Sequence, residues 1–201
     1  YYLTASASDY TLPDYQTPAA YDIDLKSIEN GTDTATATKI EGNIPLTIKI
    51  PADQYDQGRT YYLSTDTTNS IDLTEQDGYY TYSYTPTLSA TDENIVAIVS
   101  PNAASIEVTG DNTLTYGAPS PTYTATVKPD DAKQAVTWSS TNEDVLRFED
   151  PTNGTATIVG AGETSIKATA TDGTDVCFGF PVTVNPGQMD IQVEDINAQY
   201  D

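Results

Sequence analysis

The residues best suited to chemistry in this chain are its acids, which recur as close pairs: Asp22 with Asp24, Asp130 with Asp131, and Glu143 with Asp144. Two carboxylates facing each other across a cleft are what glycoside hydrolysis requires. Adjacency along the chain does not create that facing geometry, so catalysis is not expected from these pairs. There is no histidine, which excludes Ser-His-Asp and Cys-His nucleophiles within this sequence. No glycine loop followed by lysine is available to cradle phosphate. The single cysteine, Cys177, lies in Val176-Cys177-Phe178-Gly179-Phe180. That apolar strand predicts a buried, inert thiol. One thiol can form neither an internal disulfide nor a cysteine-rich zinc site.

Two further chemistries suit the residue types. Loop carboxylates and carbonyls favour a hard cation such as calcium. Asp172 and Asp175, in Asp172-Gly173-Thr174-Asp175, are the candidates, with Asn142-Glu143-Asp144 beside them. Ordinary turn chemistry accounts for both segments without metal, so no cofactor is expected. The second chemistry is aromatic. Tyr80, Tyr82 and Tyr84 share one face of a strand, and Tyr62 follows Tyr61 in another. An exposed stripe of this kind would stack on sugar rings or contact a protein, and a buried one would fill a core. The core reading is preferred for the stripe.

Strands must position all of these groups. The 201 residues carry 8 basic and 30 acidic side chains, for a net charge of −22. That balance argues against nucleic acid and anionic membrane surfaces as partners, since phosphate recognition needs clustered lysine and arginine. No apolar run is long enough for a membrane-spanning helix. Alternation of period two recurs along the chain, with no sustained helical period. It marks Ala20 to Leu25, Leu46 to Ile50 between Pro45 and Pro51, and Tyr79 to Tyr84, with Thr60 to Ser64 and the apolar run Asn94 to Val99 read as further strands. The first twenty residues, with Pro13 and Pro18, read as an extended lead-in or a first edge strand. Asn30-Gly31 reads as a turn, and Ser100-Pro101-Asn102 as a boundary.

Beyond that boundary, seven short strands are expected. They start at Ser105, Thr122, Val136, Val145, Thr155, Thr164 and Val176, with turns at Gly160-Ala161-Gly162 and Asp172-Gly173. The segment Ala135-Val136-Thr137-Trp138-Ser139-Ser140-Thr141-Asn142-Glu143-Asp144-Val145-Leu146 sets a lone tryptophan on an alternating strand before a polar turn and a second apolar strand. With Thr124 to Ala132 before it and Asn153 to Thr169 after it, this region resembles the group 2 bacterial immunoglobulin-like domain over about residues 103–185. Thr115-Tyr116-Gly117-Ala118-Pro119 stands where that family usually has a Val-Gly-Glu-Thr-like turn. The run from Ile44 to Ser100 is similar to β-sandwich modules of bacterial cell-surface proteins.

The resemblance implies an all-β chain of two tandem immunoglobulin-like β-sandwich domains. Residues 1–101 would form the first, 102–186 the second, and 187–201 a linker with the start of a further repeat. Met189 to Ile196 is read as a strand of that repeat, the alternative being a C-terminal strand of the second domain. Trp138 is expected in the core of the second domain. Lys49 and Lys167 face solvent by alternation, which argues against a lysine isopeptide crosslink. The implied role is non-catalytic: a spacer or adhesion element of an extracellular, bacterial cell-surface protein, within a longer polypeptide. Its partners would be neighbouring modules and a host or cell-surface protein or glycan, without direct membrane contact. The alternative is a carbohydrate-binding accessory segment of a glycan-degrading enzyme, with Tyr62, Tyr80, Tyr82 and Tyr84 as the contact residues.

Overall fold

The computed structural model describes residues 2–27, 38–39, 41–56, 58–65, 71–73 and 75–188. The Asn30-Gly31 turn and the Met189 to Ile196 strand lie outside these residues. The described chain is all-β, with one short 3-10 turn at Ala52–Gln54. It divides into two compact units. The first takes in Tyr1–Glu107, Thr126–Ala135 and Ala170–Val176, and the second Val108–Ala125, Val136–Thr169 and Cys177–Asp201.

The first unit is built on an antiparallel sheet in the order Tyr2–Ala7, Tyr15–Ser27, Ile95–Pro101, Tyr62–Thr65, Ile71–Asp72, with Thr38–Lys39 also paired to Tyr15–Ser27. The opening strand is therefore an edge, paired in register from Tyr2 with Lys26 to Ala7 with Tyr21. A second sheet joins Leu46–Pro51, Tyr79–Tyr84 and Glu75–Gln76.

The Ile95–Pro101 strand is buried at every position, which explains why its sequence is a continuous apolar run rather than an alternating one. Val96 and Ile98 pack with Leu63, Tyr61, Tyr80 and Leu73, against which Ile48, Tyr82 and Tyr84 also lie. Ile95, Ala97 and Val99 point the other way. They cluster with Ala20 under Tyr10, Leu12, Tyr15 and Tyr62. A loop that reads as polar thus supplies the cover for the second face of the sheet.

The second unit centres on a four-stranded sheet in the order Thr113–Thr115, Cys177–Asn185, Gly162–Ala170, Val136–Ser140. The first pair is parallel, with Thr113 opposite Thr183, and the next is antiparallel, with Ile166 opposite Phe180. Leu146–Arg147 pairs with Thr157–Ile158, and Thr122 bridges Thr155. The expected Val145 to Phe148 strand contracts to Leu146–Arg147 because Val145 and Leu146 donate their amides back to the Asn142 carbonyl in a turn.

Trp138 is 5% exposed. Its ring stacks on Phe148 at 5.7 Å between centroids, and Tyr123 meets Trp138, Phe148 and Phe180 at 6.0 to 6.4 Å. Gly154 closes this cluster from a left-handed conformation, φ 70°. A Cβ there would lie 2.4 Å from the Tyr123 carbonyl oxygen and 3.2 Å from Trp138 Nε1, so only glycine fits.

One expectation is overturned. Cys177 is exposed, as is Phe178 beside it. The inward face of the Cys177–Asn185 strand becomes buried only from Val182 onward. The apolar run thus begins before the covered part of the sheet does.

Candidate functional site

The tyrosine stripe is the first place to look for a binding surface. In the first unit Tyr80 is 8% exposed, and Tyr82 and Tyr84 are half-buried on the same core-facing side. Their spacing of two along a strand paired with Leu46–Pro51 sets them opposite Ile50, Ile48 and Leu46. Tyr61 sits 5.9 Å from Tyr80 and 5.1 Å from Tyr55, while Tyr82 and Tyr84 lie 5.7 Å apart. Burial raises the phenol pKa values of Tyr55, Tyr61 and Tyr80. Tyr80 is thus part of the core, with Tyr82 and Tyr84 packed against it. Tyr62 belongs to the opposite face of its sheet, where its hydroxyl donates to the Asp131 carboxylate. The outward face of the stripe's own strand carries Tyr79 under the Lys49 ammonium, 4.1 Å from the ring centroid. Lys49 and Lys167 are both exposed.

The candidate calcium loop is organised by protein donors. Asp172 is 5% exposed. One carboxylate oxygen accepts the Ala103 amide at 2.6 Å. The other accepts the Thr174 amide at 3.1 Å and its hydroxyl at 2.6 Å. The Asp172 carbonyl accepts Arg59 Nη2 at 2.7 Å and Gln16 Nε2 at 3.2 Å. Burial alone would raise the Asp172 pKa. The Ala103 and Thr174 hydrogen bonds, with the Arg59 charge, outweigh it and hold the carboxyl below its ordinary value. Asp175 is exposed in a left-handed turn at φ 59°. Among the described residues, no group of three His, Cys, Asp or Glu side chains could hold a metal ion.

Sequence reasoning missed Arg59, which is 8% exposed. Its Nε lies 3.9 Å from Asp56, which also accepts Lys133 Nζ at 2.6 Å. The Lys133 hydrogen bond, then the Gly58 amide, hold the Asp56 pKa down. The Asp172-Gly173-Thr174 turn was readable from its residue types. That it captures an arginine 113 residues away was not.

In the second unit, a groove of about 490 Å3 crosses the outer face of the four-stranded sheet. Asn112, Thr113 and Thr141 line it with Glu163, Ser165, Pro181 and Thr183, and the buried Thr164 and Val182 also reach it. Pairing places Thr113, Thr183 and Glu163 in one row, and Ser165 beside Pro181 in the next. Thr141 is fixed to the sheet. Its hydroxyl accepts the Ser165 amide at 2.9 Å, its amide donates to the Ser165 carbonyl at 3.0 Å, and Thr164 Oγ1 accepts the Asn142 amide at 3.1 Å. Glu163 is the single carboxylate in the lining, so the groove can exchange hydrogen bonds but holds no acid–base pair.

No protein-family model matches this chain, and no curated protein matches it at a significant level.

Proposed function

We propose that this chain is a non-catalytic, extracellular module of a bacterial cell-surface protein, a spacer or adhesion element within a multidomain array. Residues 102–186 are its group 2 immunoglobulin-like domain, and residues 1–101 a second sandwich of the surface-protein kind. The observation that carries the reading is the strand arrangement around Trp138. Ser105–Thr109 pairs with Thr124–Lys128, and the chain then crosses to the other sheet, where Thr113–Thr115 runs parallel to the last strand. Such a switch of sheets, with a central buried tryptophan, suits an immunoglobulin-like sandwich.

The chemistry agrees. Tyr80 lies in a core with Tyr82 and Tyr84 packed against it, and the Asp172 carboxylate of the candidate metal loop is taken up by the Ala103 amide and the Thr174 amide and hydroxyl. An acidic coat keeps an exposed module soluble and resists non-specific adhesion to anionic surfaces. The test is protease shaving of intact cells that express the full-length parent. Peptides from this chain should be released before lysis, and their release only after lysis would overturn the proposal.

A further inference from the structure

We infer that the first unit holds a resident water molecule, hydrogen-bonded to Arg59 Nη1, Ser100 Oγ and Asn102 Oδ1. Each of these three atoms is buried, and none has a hydrogen-bond partner among the described residues. Ser100 is fully buried and Arg59 nearly so. Polar atoms enclosed in this way are paired as a rule, with protein or with ordered water.

The three side chains belong to the surroundings of the Asp172 turn. Arg59 Nη2 and Gln16 Nε2 both donate to the Asp172 carbonyl. Ser100 stands opposite Gln16 in the sheet, and directly paired residues project to the same face. The Asn102 amide carries the pairing on to the Asp14 carbonyl. Asn102 lies two residues beyond Ser100, so the strand period places its side chain on that face as well. The next amide, that of Ala103, donates to the Asp172 carboxylate. All of these residues fall within the first unit.

The donors and acceptors select one occupant. Arg59 Nε lies 3.9 Å from the Asp56 carboxylate, so the charge already faces an acid. Nη2 is bonded to Asp172, while the protons of Nη1 are unspent. An anion would suit Nη1 but not Asn102 Oδ1, which only accepts. A metal ion would suit the two oxygens but not the guanidinium. Water accepts from Nη1, donates to Asn102 Oδ1 and shares a hydrogen bond with the Ser100 hydroxyl. Three bonds are the usual complement of a buried water. It lets an arginine stay enclosed beside the Asp172 turn with its spare donor satisfied. None of this depends on where the parent protein resides, so its test and the cell-shaving test fail independently.

The experiment is high-resolution diffraction from crystals of the full 201-residue chain, repeated at a long wavelength where chloride scatters anomalously. An ordered peak should lie about 2.7–3.2 Å from each of the three atoms and give no anomalous signal. Oxygen-17 relaxation dispersion then counts the long-lived waters in solution. Ser100→Val, whose added methyl intrudes on the water, and Asn102→Leu, which removes the acceptor, should each lower the parent's count by one. An amide NMR spectrum checks that each variant is folded, and the parent's diffraction peak decides if one is not. The inference is overturned if no peak lies there, if Arg59 Nη1 bonds Ser100 or Asn102 directly, if the peak scatters as chloride, or if the folded variants keep the parent's count.

Discussion

Trp138 shows how one residue type can determine a packing centre. Its neighbours alternate, it is the single tryptophan of the chain, and it lies against Phe148, Tyr123 and Gly154. Trp138→Ala should cost roughly 3–5 kcal/mol, the range for large aromatic truncations in a core. Urea unfolding followed by far-UV circular dichroism measures it, and an unchanged midpoint would contradict the packing. Tyr123 adds a pH dependence to the same cluster. Burial first, and then the Asp111 charge, push its phenol up to about 12. The raised value means that the neutral form is favoured on folding. Its contribution is full below about pH 10, the unfolded value, and is lost as the pH rises toward the folded one. Trp138 fluorescence should report loss of the second unit across that alkaline window, with a smaller loss for Tyr123→Phe. Burial at this scale was legible for Trp138, where alternation was clean. It was not legible for Cys177, because hydrophobicity records what a residue prefers and not where a sheet loses its cover.

At the scale of elements, period-two alternation located strands such as Leu46–Pro51 and Tyr79–Tyr84, where one face is packed and the other is wet, while Ile95–Pro101 showed as an unbroken apolar run because both its faces are covered. Ile95–Pro101 and Tyr79–Tyr84 follow the expected limits closely. The tyrosine stripe could be assigned to one face from sequence, but the side of the sheet that would be covered depended on Leu46–Pro51 and on its distant partners. The Ala170–Val176 segment was harder still. It reads as a hairpin of the second sequence module, yet it groups compactly with the first unit through Asp172, Arg59, Gln16 and Ala103. Asp172→Ala should destabilise this segment by about 1–3 kcal/mol, since it strands a buried amide. Hydrogen exchange at Ala103 and Thr174 should accelerate in the variant, and unchanged protection there would argue against the role. The depressed Asp172 pKa gives the sign of the acid response. The stabilisation is present above the unfolded carboxylate value of about 3.9 and fades as the pH falls through the folded one. The advantage of the parent over Asp172→Asn should therefore begin to shrink below about pH 4 and disappear only once the pH is below the folded value, a comparison made by urea titration at each pH.

For the whole molecule, charge is the dominant collective property. With 30 acids against 8 bases, self-repulsion opposes the compact state at low ionic strength. Raising sodium chloride from about 10 mM to about 0.5 M shortens the Debye length from roughly 30 Å to under 5 Å. The melting temperature should rise, and a fall would show that specific ion pairs such as Lys133 with Asp56 outweigh the repulsion. Composition made this legible at once, whereas the division into compact units was not, since it depends on contacts more than a hundred residues apart. The strand Ile95–Pro101 has one more consequence. Covered on both sides and hydrogen-bonded along both flanks, its amides are the last in the first unit to meet solvent deuterons. Their exchange rate therefore measures complete opening of that unit rather than local fraying.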